Sequence, residues 1–394
     1  MIKDRRNILY WVLTLFIFTI PLSQYVSVRI LVVLNILVLV LLYSKEMLKQ
    51  VAIKNWDIIV YILMLIVGVF YSNDKIQAWR VLETSFSFLG IPLAYEAYQK
   101  DASTRVTTKV FSLAVLIAGL ILILNATFKY FHTSDGNVFL FYQLTDPLGL
   151  QPTYLAYYVI FVITCIIFEM YYKTIGISIM QLSICIIFLS SILLFTGGKT
   201  AFISLILVSS FFALKYLLDI RSLRRTYTVV TFFSILIVFV SISTSDYFAS
   251  VSLNQTDFWE RSTLWRSAIE ANPNPIFGVG TGDYKDVLNQ YYKAQGMTQF
   301  AAGNYNAHNQ FIQLYFSNGV LGLLALLLII GRPLYLSFKI QNTLGILLVF
   351  PFILYGITEV FLARYQGVVF FVLCHQIVVS DYYLKIPKLN LKTI

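Results

Sequence analysis

The feature that most constrains this chain is a succession of apolar runs, each about 15 to 22 residues long, recurring from one end to the other. Each run can cross a hydrocarbon core of roughly 30 Å, the shorter ones with tilt or snorkelling side chains. A helix satisfies its own backbone groups in that solvent, so helices are the expected element. A soluble alternative fails on composition: 58% of residues are hydrophobic and 12% charged, which would leave far too much apolar surface in water.

The expected fold is therefore an all-α integral membrane protein of about twelve transmembrane helices, a single polytopic domain over residues 1–394. Hydropathy places the spans near residues 8–23, 26–43, 56–71, 82–98, 110–131, 152–172, 175–195, 199–218, 227–245, 308–330, 343–361 and 366–384. The start, with Lys3, Arg5 and Arg6 before an apolar stretch, resembles a signal peptide, but no small-x-small site follows Pro21. A retained first helix is expected. Cys165, Cys185 and Cys374 lie inside apolar segments and read as small core residues.

The net charge of +10 does not point to nucleic acid, because the basic residues sit between apolar runs rather than on one face or arm. They alternate instead. With the amino terminus in the cytoplasm, Lys45, Lys49 and Lys54, then Lys100, Arg105 and Lys109, then Lys215, Arg221, Arg224 and Arg225 all fall on the cytoplasmic side. Ten of the 29 basic residues fall outside. The asymmetry predicts a multi-pass inner-membrane protein with both termini cytoplasmic.

Two outer connections are long, residues 132–151 and 246–307, and the second, between helices 9 and 10, is expected to be a periplasmic loop that carries function. Within it, TDFWERSTLWRSAIEANP predicts a short helix on the membrane that stops before Pro273. NPIFGVGTGDY lacks the flanking strand and helix of a phosphate loop and reads as turn structure. The loop holds six acids (Asp246, Asp257, Glu260, Glu270, Asp283, Asp286) against four bases, so an anion would need particular residues to hold it.

Five groups could do so or assist. Lys199 follows Gly197 and Gly198 at a tight helix-to-helix reversal, where helix-start amides beside an ammonium favour phosphate; a snorkelling interfacial lysine is the plainer reading. Arg261 and Trp265 share a helix face suited to a diphosphate and a sugar or lipid, against an Arg261 merely paired with Glu260 or Asp257. Arg266 lies about 140° round from Arg261 and need not share its ligand. His308, where the long loop re-enters the membrane, can take a proton from a sugar hydroxyl; the alternative is an interfacial histidine bonded to Asn304 or Asn309. His132 and His375 lack comparable neighbours. Arg364 falls in the last outer turn with Glu359 one turn earlier, a charge pair that could be structural or functional. No His and carboxylate cluster has metal spacing, which favours a reaction without metal or cofactor.

The ordered segments TGGKTAF, ERSTLWRSA, NPIFGVGTGDY and HNQFIQLYFSNGVLGLL resemble the O-antigen ligase and polymerase superfamily, best over residues 190–330. The resemblance implies inverting transfer of a glycan from undecaprenyl diphosphate to an acceptor sugar at the periplasmic face. The acceptor would be the lipid A core for a ligase, which is the favoured reading, or another lipid-linked glycan for a polymerase. By the same resemblance Lys199 takes the place of an outer-helix arginine, Arg261 that of a loop arginine and His308 that of the histidine before the re-entering helix. Arg261 and Lys199 would hold the diphosphate, with Arg266, Trp265, Asn309 and Arg364 as further substrate contacts. Lysine at 199 keeps the charge and loses the bidentate fork. A transporter or flippase would instead place its charged sites near the bilayer midplane with repeat symmetry, and a membrane scaffold would not need the ordered motifs.

Overall fold

The structure, a computed structural model, describes residues 2–96, 103–172, 177–218 and 255–385, and all regular structure among them is helical. In chain order the helices are α1 (Ile2–Thr19), α2 (Gln24–Leu42), α3 (Lys45–Lys54), α4 (Trp56–Tyr71), α5 (Lys75–Thr84), α6 (Ser87–Tyr95), α7 (Ser103–Thr133), α8 (Phe141–Thr145), α9 (Pro152–Tyr172), α10 (Ile179–Thr196) and α11 (Lys199–Leu218). Then follow α12 (Gln255–Glu270), α13 (Tyr284–Ala294), α14 (Thr298–Ala302), α15 (Gln310–Lys339), α16 (Thr343–Val349), α17 (Pro351–Thr358) and α18 (Tyr365–Lys385). They form two compact units. One comprises Met1–Phe16, Ser27–Thr107 and Gln255–Ile394; the other comprises Ile17–Val26 and Thr108–Asn254.

The expectation of twelve continuous spans needs correcting. Among the described residues six helices are long and apolar enough to cross a membrane: α2, α7, α9, α10, α15 and α18; a seventh is gained if α3 and α4, bent by 86°, count as one. The chain is a multi-pass membrane protein. The stretch 82–98 is not one span but two short helices, because α5 carries Lys75, Arg80 and Glu83, starts on an Asp74 cap, and stops before α6 with its internal Pro92. The stretch 343–361 is likewise broken at Pro351, which has no N–H to continue the α16 ladder and instead opens α17. The expected span 227–245 lies outside the described residues.

In the second unit α9 is its buried centre: every residue from Tyr154 to Ile167 is buried, and α10 and α11 both pack on it. The reversal between α10 and α11 uses Gly197 at φ +63°, where a Cβ would run into the Phe141 ring. This is the tight turn that the two glycines predict, and it sets Lys199 at the first turn of α11.

In the first unit α15 packs against α4 and α18, and α18 also covers α6. Here α15 is interrupted at Gly319 (φ 66°, ψ −162°), which frees helix carbonyls. The glycine-rich turn supplies their partners, as Val279 N–H donates to Phe316 O (3.0 Å) and Gly280 N–H to Ser317 O (2.8 Å), and it accepts in return from the helix, Val320 N–H donating to Pro275 O (2.8 Å). Such closeness requires glycine. A Cβ at Gly278 (φ +73°) would lie 2.5 Å from the Ser317 carbonyl carbon. Gly278→Ala is therefore expected to cost about 1–3 kcal/mol or more, read as a lower unfolding midpoint in mixed micelles.

Between α4, α15 and α18 lies a buried charge cluster. Arg332 Nη1 donates to Asp57 Oδ1 at 2.7 Å, and His375 Nε2 meets Asp57 Oδ2 at 2.8 Å. Asp57 and His375 are fully buried, and Gln376 links the imidazole (3.2 Å) to Asn55 (2.6 Å). The expectation that His375 has no notable neighbours is thus overturned. Arg332 is inside α15 and buried.

Residues 255–307 are more than a loop with one short helix. Helices α12, α13 and α14 close around Leu264, Ala268, Leu288, Tyr292, Ala307 and Phe316, a small core of their own. Leu264 with Ala268, and Leu288 with Tyr292, stand four residues apart and so share a helix face.

Candidate functional site

Helix α12 forms where expected and ends at Glu270, ahead of Pro273. Its packing face turns Leu264 and Ala268 inward and leaves Arg261 half-buried at the edge. From there Arg261 Nη1 donates to the carbonyl of Thr358, the last residue of α17, and Nη2 lies 3.7 Å from Glu359 Oε1. A cation at the carboxyl end of a helix meets carbonyls that have no partner within the helix. Arg261 therefore pairs with Glu359, 98 positions away; the side chain of Asp257 lies outside the described residues.

Glu359 also reaches the histidine. Its Oε2 lies 3.5 Å from His308 Nδ1, so one carboxylate stands between Arg261 and His308. His308 is held in a left-handed conformation (φ 42°), unusual for a residue with a side chain, with its N–H donating to Asn306 Oδ1 at 2.9 Å. The next residue, Asn309, caps α15 by accepting from Phe311 N (2.9 Å) and Ile312 N (3.0 Å). Gln310 accepts from Leu362 N (2.8 Å), which ties the start of α15 to the turn after Glu359. The Tyr305 ring lies 5.8 Å from the imidazole. His308 is thus fixed on both sides while its side chain remains about one-third exposed, at 32%.

The other candidates stand elsewhere. Arg266 is exposed and bonded to Glu270 (2.6 Å), which also accepts from the Tyr291 hydroxyl (2.5 Å). The Tyr291 hydroxyl, followed by Arg266, holds the Glu270 carboxyl below the usual carboxylate range. Trp265 is half-buried with its indole N–H enclosed and lacking an acceptor. Lys199 is half-buried in the second unit. Arg364 lines a cavity of about 450 Å³ together with Arg80 and Lys285, neither of which the sequence singled out. Glu359 too was visible only as a neighbour of Arg364; nothing local marks it as the partner of Arg261 and His308.

Chemically, a carboxylate at Nδ1 favours the tautomer with its proton there and leaves Nε2 as the basic nitrogen. The Arg261 guanidinium has five N–H donors, so its contacts to α17 leave some for an anionic ligand.

Residues 184–327, which include Lys199, Arg261 and His308, match the family described as O-Antigen ligase. An uncharacterized protein of Haemophilus influenzae is 29% identical over 127 residues, covering 29% of this chain and 32% of that protein. The chain thus spans about a third of the length of the curated relative it matches. Over residues 184–327 the chain is therefore similar to the family described as O-Antigen ligase.

Proposed function

We propose that the protein transfers a glycan from undecaprenyl diphosphate to an acceptor sugar, the lipid A core, at the periplasmic face of a bacterial inner membrane. The observation that carries this reading is the Glu359 carboxylate set between Arg261 and His308, both inside the ligase-like region. His308 Nε2 takes the proton of the acceptor hydroxyl as its oxygen attacks the anomeric carbon. The bond from that carbon to the diphosphate oxygen breaks, undecaprenyl diphosphate leaves with the electron pair, and the anomeric centre inverts. Glu359 stabilises the imidazolium that forms. Arg261 meets the departing charge, which needs no metal ion. Asn309, Trp265, Arg266 and Arg364 are secondary contacts to the glycan.

The pairings within the first unit support the assignment of sides made from charge. Lys54, placed inside, bonds Glu96 at 2.8 Å, and Asp283, placed outside, accepts from Asn73 and Asp74 at 2.7 Å.

In membranes with labelled lipid-linked donor, Arg261→Lys is expected to lose most transfer although its charge remains, because the two-pronged donor geometry is gone. Full activity in that variant would remove Arg261 from the diphosphate site. Product analysis decides the acceptor: label on lipid A core supports ligation, whereas a ladder built from lipid-linked units alone shows a polymerase.

A further inference from the structure

The 450 Å³ cavity of the first unit has a one-sided chemistry. Arg80 from α5, Lys285 from α13 and Arg364 line it, and among the described residues no carboxylate does. This is not because acids are scarce nearby. Asp283 is buried with its oxygens accepting from Asn73 N, Asp74 N and Asn73 Nδ2, and Asp74 caps the N–H of Gln77 (2.9 Å). Glu83 and Asp286, on the same helices as Arg80 and Lys285, are exposed and outside the lining. The neighbouring acids are thus spent on backbone amides or face away, while the cavity keeps its cations.

The rest of the wall suits a sugar. Gln77, Asn304, Asn306, Gln310 and Gln313 bring carboxamides that can both donate to and accept from hydroxyls. Gln313 is 4% exposed; its Oε1 accepts from Ala307 N (3.2 Å), and its Nε2 is enclosed without any acceptor. A buried donor left unmet is costly, and a ligand oxygen would satisfy it. The cavity also abuts the histidine. Asn306 and Gln310, which fix the chain on either side of His308, are wall residues, whereas Arg261 is not.

We propose that this cavity binds an acidic sugar residue of the acceptor glycan, its carboxylate or phosphate held by Arg80, Lys285 and Arg364 and its hydroxyls by the carboxamides. This rests on the reading of the protein as a glycan transferase with His308 facing the acceptor. The cavity then selects acceptors by charge.

The test uses the full chain in lipid nanodiscs with three probes: trigalacturonate, neutral maltotriose, and undecaprenyl diphosphate without a glycan. Wild type is expected to bind trigalacturonate at least about tenfold tighter than maltotriose, with a preference that shrinks as salt rises. Arg80→Gln/Lys285→Gln is expected to abolish that preference, and Arg80→Lys to retain it. Equal binding of the two trisaccharides by wild type, or an undiminished preference in the double variant, overturns the proposal. So does a double variant that loses undecaprenyl diphosphate and keeps trigalacturonate, since the cations would then serve the donor. The readout is binding, so a wild type that shows the preference and makes no glycosidic bond refutes the transferase reading alone.

Discussion

Replacing His308 by alanine is expected to slow glycan transfer by about 10²- to 10⁴-fold, the share that a positioned general base contributes. The side chain is one-third exposed and makes few contacts, so the variant should fold and insert normally. Glu359→Gln keeps the shape and removes the charge behind Nδ1. It should lower turnover per folded molecule, because the imidazolium that forms as the acceptor proton is taken loses its stabilising carboxylate. A purely structural Glu359 would lower the amount of folded protein and leave turnover per folded molecule in place. Labelled-donor turnover normalised to folded protein separates the two outcomes.

The second large effect is on stability. Asp57→Ala is expected to cost about 3–5 kcal/mol, because it strands the Arg332 guanidinium and the His375 imidazole without the carboxylate that both contact. Unfolding in mixed micelles reads the loss. The triple change Asp57→Leu, Arg332→Met, His375→Leu should recover most of it, since a well-packed apolar set replaces a desolvated ionic one. If Asp57→Ala unfolds at the wild-type midpoint, the cluster contributes nothing to holding α4, α15 and α18 together.

These two predictions rest on contacts that the sequence could not announce. What local pattern controls was legible: the apolar spans of α2, α7, α9, α10 and α18, the α12 helix before Pro273, and the glycine reversal ahead of Lys199. Periodicity failed where a short-range rule meets a long-range one. The stretch 82–98 is apolar enough for a span, yet Asp74 and the polar face of α5 divert it along the cavity. The break at Gly319 is invisible in an apolar run, because it is satisfied only by the turn 275–280 folding back on it. The pair Leu288 and Tyr292 was a readable helix signal that the loop composition obscured.

The site divides in the same way. Arg261 and His308 could be picked by residue type and position, but Glu359 joins them from just beyond α17, and Arg80 and Lys285 come to line one cavity with Arg364 only through packing. Asp57 and His375 are 318 positions apart, and their hydrogen bond is a product of the fold alone.

The central claim is tested most directly by a cryo-EM map of the full chain in lipid with undecaprenyl diphosphate bound. The account predicts diphosphate density within about 4 Å of the Arg261 guanidinium, with the His308 imidazole open to the same space. Diphosphate held away from Arg261 and His308 would contradict it.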